Sequence, residues 1–203
     1  MKIFCVGRNY TEHAKELGND VPEEPVIFMK PKTALLQPNT PFYYPPFSNE
    51  LHYEAEIVLR ISKNGRHIRE SKASQYYNAF TVGIDFTARD IQNELKKKGL
   101  PWEKAKSWDN SAVIGKWIDF THDHLKQPIG FSLTKNEKIV QLGNTKDMIF
   151  SFDKVLANIS TYFSLNIGDV IFTGTPAGVG ECLPEDRLEG FVGNESVFVL
   201  DIK

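Results

Sequence analysis

The sequence is poor in cysteine and lacks any long apolar run. Its two cysteines, Cys5 and Cys182, form neither a CxxC pair nor the spacing of zinc ligands. Disulfide bonds are therefore not expected, and two thiols suit a reducing compartment. No segment approaches the roughly 20 apolar residues of a membrane-spanning helix, and the apolar run before Arg8 is too short for a secretion signal. We expect a cytoplasmic protein with no membrane partner.

The sequence also lacks an excess of charge of either sign. Its 24 Lys and Arg residues nearly balance 26 Asp and Glu residues, giving a formal net charge of −2. This balance gives no general reason to bind nucleic acid, so any charged ligand must be recognised locally. Low-complexity tracts and internal repeats are missing as well. With 203 residues, of which 41% are hydrophobic, the chain is predicted to form a single domain over residues 1–203.

Strand-like runs rich in Val, Ile and Phe outnumber helical patterns. Six such runs are residues 3–6, 26–29, 54–61, 80–84, 170–173 and 197–202. One helix is predicted after Ser151, an N-cap followed by an apolar stripe at helical spacing. Another is predicted within TARDIQNELKKKG, ended by Gly99, with its three lysines on a solvated face. A sheet-based fold with short helices follows.

Two glutamates in HYEAEI, residues 52–57, are predicted to share one face of a strand. Successive side chains of a strand alternate, so Glu54 and Glu56 project together. Asp85 follows the apolar run FTVGI and is expected at a strand end. Three carboxylates suit a hard divalent cation such as Mg²⁺, which keeps other positions for water or substrate. The alternative is an exposed strand face with Asp85 capping a turn.

A second set of polar side chains follows or interrupts apolar segments; it comprises Lys30, Arg89, Gln92 and Lys106. Each could hold an anionic ligand. The alternative, which is favoured for any one of them alone, is that they pair with nearby acids such as Asp90 and Asp109.

The glycine-rich stretch FTGTPAGVG, residues 172–180, leaves a predicted strand. It has neither the P-loop pattern nor the glycine order of a dinucleotide-binding fold. Its backbone N–H groups and the Thr175 hydroxyl could hold a carboxylate. The alternative is a structural connection whose glycines only supply positive φ.

Near the N-terminus, His13 and Glu16 stand at positions i and i+3 of NYTEHAKEL, on one face of a helical turn. A histidine oriented by a carboxylate is a candidate general base. The alternative is a surface histidine beside a glutamate. Gly18 and two polar residues follow, which is compatible with a lid.

Six motifs, in one order along the chain, resemble the fumarylacetoacetate hydrolase superfamily, in particular its compact acylpyruvase and oxaloacetate decarboxylase branch. They are VGRNYTEHAKE, IFMKP, HYEAEI, GIDFTARDIQ, KKKGLPWEKAKSWD and FTGTPAGVG. The resemblance implies an α+β, mainly β fold, a mixed β-roll or sandwich with short helices. It also implies a homodimer.

The resemblance further implies roles for the candidate residues. Mg²⁺ or Mn²⁺ is expected on Glu54, Glu56 and Asp85. A small 2-oxo acid substrate is expected to be surrounded by Arg8, Lys30, Arg89, Gln92, Lys106 and Thr175. The segment with His13 and Glu16 is expected to order over the bound ligand. Apart from the resemblance, Lys106 is the next candidate for a catalytic base if the base is not this dyad.

Three classes of function stay open. The first is a metal-dependent hydrolase or decarboxylase of short 2-oxo acids that works through a stabilised enolate. The second is an isomerase or tautomerase of oxaloacetate or hydroxymuconate-type acids. The third is a non-catalytic protein that binds metal and 2-oxo acid. The pairing of His13 with Glu16 favours water activation, as hydrolysis of an acylpyruvate requires.

Overall fold

Three β-sheets carry the fold in the part of the chain that the structure, a computed structural model, describes: residues 1–12, 21–38, 40–121, 124 and 127–203. The largest sheet has seven strands, namely β1 (Ile3–Gly7), β2 (Val26–Lys30), β4 (Ala55–Ile61), β5 (Tyr77–Asp85), β7 (Ala112–Ile114), β8 (Ile118–Asp119) and β11 (Val170–Phe172). Their order is β2-β1-β11-β4-β5-β7, with β8 also pairing with β5. Only the β1–β11 pair is parallel.

The central strands of this sheet are apolar on both faces. Val58, Leu59, Phe80 and Val82 of β4 and β5 are fully buried. A strand covered on both faces reads as a nearly continuous hydrophobic run, which is why these strands were recognisable in the sequence. Burial of these side chains fixes the register of β4 against β5, which in turn fixes the polar residues at their ends.

A second, antiparallel sheet has four strands in the order β10-β9-β13-β14. Its strands are β9 (Gly130–Lys135), β10 (Lys138–Asn144), β13 (Arg187–Val192) and β14 (Glu195–Asp201). Asn136 and Glu137 join β9 to β10 with φ values of 52° and 67°, as a two-residue hairpin turn requires. A small third sheet pairs β3 (Leu51–Tyr53) with β12 (Gly180–Glu181) and β6 (Thr87–Ala88).

Short helices complete the described structure. The α-helices are α1 (Arg89–Lys98), α2 (Glu103–Lys106) and α3 (Phe152–Tyr162), and 3₁₀ turns cover Lys32–Ala34, Glu70–Gln75 and Thr145–Asp147. Gly99 ends α1 in the left-handed conformation, at φ 63°. The Ser151 hydroxyl caps α3 by accepting a hydrogen bond from the Lys154 N–H at 3.2 Å. Among the described residues, no helix combines the length and apolarity that crossing a membrane demands.

The predicted α+β, mainly β class is confirmed, and so are the two helices. Several strand boundaries differ by one to three residues, and one of them bears on the site: Glu54 lies between β3 and β4, and the strand begins at Ala55. In the second sheet, β9, β10 and β13 were not predicted. These strands lie in a sheet with one exposed face, and β10 places two of its three apolar side chains, Ile139 and Leu142, in solvent at 67% and 74% exposure, so its apolar pattern does not mark the buried face.

Candidate active site

Three carboxylates converge where the start of β4 meets the end of β5. Glu54 precedes β4, Glu56 lies on it, and Asp85 ends β5. The backbone N–H of Asp85 donates to the Glu54 carbonyl at 2.9 Å. One oxygen from each carboxylate lies within 4.8 Å of the others, and all three residues are buried. The alternative of an exposed strand face is therefore wrong.

Lys106, at the end of α2, joins two of these carboxylates. Its Nζ donates to Glu54 Oε2 at 2.7 Å, to Asp85 Oδ2 at 2.8 Å and to the Thr87 hydroxyl at 2.6 Å, which uses all three ammonium protons. Burial acts to lower the pKa of Lys106, but the charges of Asp85 and Glu54 outweigh it and hold that pKa above its usual value. Lys106 is therefore a charged, fully engaged ammonium at neutral pH.

Arg89 holds Glu54 from the other side. Its Nη2 donates to Glu54 Oε1 at 2.5 Å, and its Nη1 donates to Gln92 Oε1 at 2.5 Å, one turn further along α1. Asp90, by contrast, accepts hydrogen bonds from Ser48 and Asn49. The predicted alternative of pairing with Asp90 or Asp109 is wrong, because Lys30, Arg89 and Lys106 pair with the carboxylate cluster.

Lys30, at the end of β2, lies 2.7 Å from Asp85 Oδ1 and is fully buried. Its three ammonium protons go elsewhere, to the carbonyls of Lys106 and Ser111 and to the Ser111 hydroxyl. Asp85 Oδ1 consequently has a positive charge beside it but no hydrogen-bond donor among the described residues. Lys30 is placed behind Asp85 and does not line the cavity described below.

The glycine-rich loop after β11 supports Glu56. The Gly174 N–H donates to Glu56 Oε2 at 2.7 Å, and the Thr175 hydroxyl donates to the Ala55 carbonyl at 2.9 Å. Gly174 has φ +102°, and a Cβ there would lie 2.6 Å from Asn9 Cβ. The loop therefore does more than supply positive φ: its backbone orients a carboxylate of the cluster. Burial, then repulsion from Asp85 and Glu54, raises the pKa of Glu56 well above its usual value.

One cavity gathers most of the predicted site residues. It is lined by Arg8, Glu54, Glu56, Asp85, Arg89, Gln92, Lys106 and Thr175, together with Val6, Gly7, Phe28, Lys96 and Trp102. His13 and Glu16 lie outside the described residues, so their dyad stays a prediction. Gln141 of β10, which was not predicted, supports the site: its Nε2 donates to the Thr175 hydroxyl at 2.9 Å.

Lys96 corrects the prediction that the three lysines of α1 form a solvated face. Lys97 and Lys98 are exposed, but Lys96 is half-buried and its Nζ lies 5.7 Å from the centre of the Trp102 ring. Burial, reinforced by Arg89 and Arg8, lowers the pKa of Lys96 to about 8. Helical spacing could have located it, since residues 89, 92 and 96 follow one face.

The donor set of the cluster fits a hard divalent cation. It offers carboxylate oxygens and neither imidazole nor thiolate, and Asp85 Oδ1 has an unused lone pair. The Lys106 ammonium contacts both Glu54 and Asp85. A divalent cation held by these two carboxylates would therefore share them with that ammonium.

Comparison with known proteins gives consistent matches over nearly the whole chain. Residues 2–203 match the family model described as fumarylacetoacetate (FAA) hydrolase C-terminal. The chain is 41% identical over 190 residues to oxaloacetate tautomerase YcgM of Escherichia coli K12, covering 92% of this chain and 86% of that protein. It is 37% identical over 187 residues to the human mitochondrial oxaloacetate tautomerase FAHD1, covering 92% and 85%.

A solved structure of similar shape is the fumarylpyruvate hydrolase of Pseudomonas aeruginosa in complex with Mn²⁺ and pyruvate. Its TM-score is 0.93 at 32% identity, with 100% of this chain and 89% of that chain covered. The chain therefore belongs to the fumarylacetoacetate hydrolase family, as its six motifs predicted.

Proposed function

We propose that the protein is a divalent-metal-dependent enzyme that interconverts the keto and enol forms of oxaloacetate. The observation that carries this proposal is the charge of the cavity. Four cationic side chains and three carboxylates line it, and Lys30 adds a further positive charge behind Asp85. A divalent ion would make the cavity still more positive, so a small dianionic ligand suits it better than a neutral one. Two relatives named as oxaloacetate tautomerases support the choice.

The chain's own residues divide the chemical tasks. Glu54, Glu56 and Asp85 would hold Mg²⁺ or Mn²⁺, and that ion, when bound, supplies positive charge that stabilises an enolate. Arg89 fixes Glu54 and places Gln92 at the cavity wall. Lys106 is held charged by Asp85 and Glu54, so it acts as a cation that orients the carboxylates and not as the base that removes a proton.

The experiment follows decay of enol absorbance and release of pyruvate in parallel, with Mg²⁺, with Mn²⁺ and with a chelator. We expect metal-dependent tautomerisation that exceeds pyruvate release. Pyruvate release at the same rate would identify a decarboxylase instead. Enol decay no faster than in buffer, with either metal present, would show the proposal to be wrong.

A second candidate, hydrolysis of acylpyruvates, is favoured by an apolar recess beside the site. The recess shares Phe28 and Trp102 with the cavity and continues along Leu100 and Pro101, so it could receive an acyl tail. The Pseudomonas relative named as a fumarylpyruvate hydrolase supports this candidate. His13, oriented by Glu16, would then activate water. Turnover of acylpyruvates of increasing tail length tests it.

The expected homodimer and cytoplasmic location remain proposals. Analytical ultracentrifugation over a range of protein concentrations tests the dimer, and a sedimentation coefficient of a monomer throughout would contradict it. Fractionation of cells that express the tagged protein tests the location.

A further inference from the structure

Lys96 is a half-buried lysine without an acidic partner in the described part of the chain. The ion pairs there include Lys98 with Glu94, at 3.6 Å on the same helix, but none that involves Lys96. The residues four positions before and after it are Gln92 and Leu100, which carry no charge. An ammonium that has lost part of its hydration without gaining a counter-ion is unfavourable by itself, and binding of an anion offsets that cost.

The charges that face Lys96 are mostly of its own sign. Arg89, Arg8 and Lys106 lower its pKa, and Glu54 acts in the opposite direction. With a pKa of about 8, Lys96 still carries its proton at pH 7. The resulting local excess of positive charge suits a carboxylate from solution, which would relieve the repulsion among these cations.

Lys96 lines the same cavity as the carboxylate cluster. Arg89 contacts Glu54 at the start of α1, and Lys96 follows seven residues later, about two turns along the same face of the helix. Its side chain reaches back into the cavity beside Trp102. A ligand anchored at the cluster by one end would therefore extend its other end toward Lys96.

We propose that Lys96 determines specificity by binding the distal carboxylate of a dicarboxylic 2-oxo acid. This inference rests on the proposed function, and it adds the residue that distinguishes a dicarboxylate from a monocarboxylate. Lys106 and Arg89 are engaged by Glu54 and Asp85, whereas Lys96 remains available to the ligand.

The test compares oxaloacetate with its 4-methyl ester, which keeps the 2-oxo acid and loses only the distal charge. Lys96→Met is expected to raise KM for oxaloacetate roughly 10- to 100-fold, because a charge-assisted hydrogen bond is lost. KM for the ester should change less than about threefold. Lys97→Met, at the exposed neighbouring lysine, is the matched control and should change neither. Lys96→Arg should restore most of the affinity for oxaloacetate.

Equilibrium binding of both ligands, measured by tryptophan fluorescence because Trp102 lines the cavity, gives the same comparison without turnover. If the parent binds oxaloacetate without converting it, the proposed function is wrong. The comparison of binding affinities then still tests whether Lys96 recognises the distal carboxylate. Equal losses for both ligands, or a fall in kcat with KM unchanged, would refute the inference and indicate a structural or proton-transfer role. Binding of neither ligand by the parent would overturn both proposals.

Discussion

Replacing Lys106 with methionine removes the ammonium that joins two buried carboxylates while keeping most of the side-chain volume. Lys106 is only 3% exposed, and its three hydrogen bonds measure 2.6 to 2.8 Å. Without it, Glu54 keeps Arg89 and Asp85 keeps Lys30 as neighbours, but the repulsion between the carboxylates is no longer balanced from within the cluster.

The magnitude follows from the burial of the pair. Breaking a buried ion pair by removing one partner costs about 3–5 kcal/mol. For a chain of this size, 1 kcal/mol corresponds to about 2–4 °C in Tm, so the metal-free variant should melt roughly 6–20 °C below the parent. A divalent ion supplies positive charge at the same carboxylates, and the competing ammonium is gone. The rise in Tm on adding Mg²⁺ should therefore be larger for Lys106→Met than for the parent.

The assay is thermal unfolding followed by circular dichroism, with chelator and with excess Mg²⁺. Lys97→Met, at an exposed lysine, is the control and should stay within about 0.5 kcal/mol of the parent in both conditions. Lys106→Gln provides a second comparison if the methionine variant does not fold without metal. The reasoning is refuted if the Lys106 variants match the parent in chelator, or if Mg²⁺ raises every Tm by the same amount.

Three further outcomes are expected. Gly174→Ala, which combines φ +102° with a 2.6 Å approach to Asn9 Cβ, should lose about 2–4 kcal/mol in chemical denaturation, whereas Gly168→Ala, with φ +86° and open space around it, should lose only about 1–2. Between pH 7 and 9, affinity for oxaloacetate should fall as Lys96 loses its proton around pH 8, approaching tenfold per pH unit at the upper end of that range; titrations at pH 7 to 9 check this, and a flat profile identical to that of the 4-methyl ester would contradict it. In initial-rate assays with Mn²⁺, His13→Ala should lose acylpyruvate hydrolysis by roughly 10²- to 10⁴-fold and lose oxaloacetate decarboxylation less, because only hydrolysis needs activated water; equal retention of both would count against the dyad.

The convergence of Glu54, Glu56 and Asp85 was predictable because it depends on two buried, apolar strands. Their hydrophobic runs identify β4 and β5. Because the two strands pair, carboxylates at their adjoining ends lie close together. What the sequence could not specify is the partner of each cation. Lys30 lies 55 residues before Asp85, and only the folded sheet brings them within 2.7 Å.

Lys96 and Gln141 were missed for different reasons. Three consecutive lysines look alike in a sequence, and the direction of each on α1 decides that only Lys96 reaches the cavity. Gln141 belongs to β10, a strand with Ile139 and Leu142 in solvent, so neither the strand nor its inward glutamine had a recognisable pattern. Both residues depend on contacts between elements distant along the chain.

Binding of Mn²⁺ to the parent and to Asp85→Asn, measured by calorimetry, tests the metal site most directly. Asp85 is a buried member of the carboxylate cluster, and Asp85→Asn replaces one of its carboxylate oxygens with an amide nitrogen and removes its negative charge, so binding of the ion should weaken. Asp109→Asn, at an exposed carboxylate on the loop after α2, is the matched control. The account predicts one Mn²⁺ per chain in the parent and in Asp109→Asn, and loss of that binding in Asp85→Asn. Equal affinity of Asp85→Asn and the parent would contradict it.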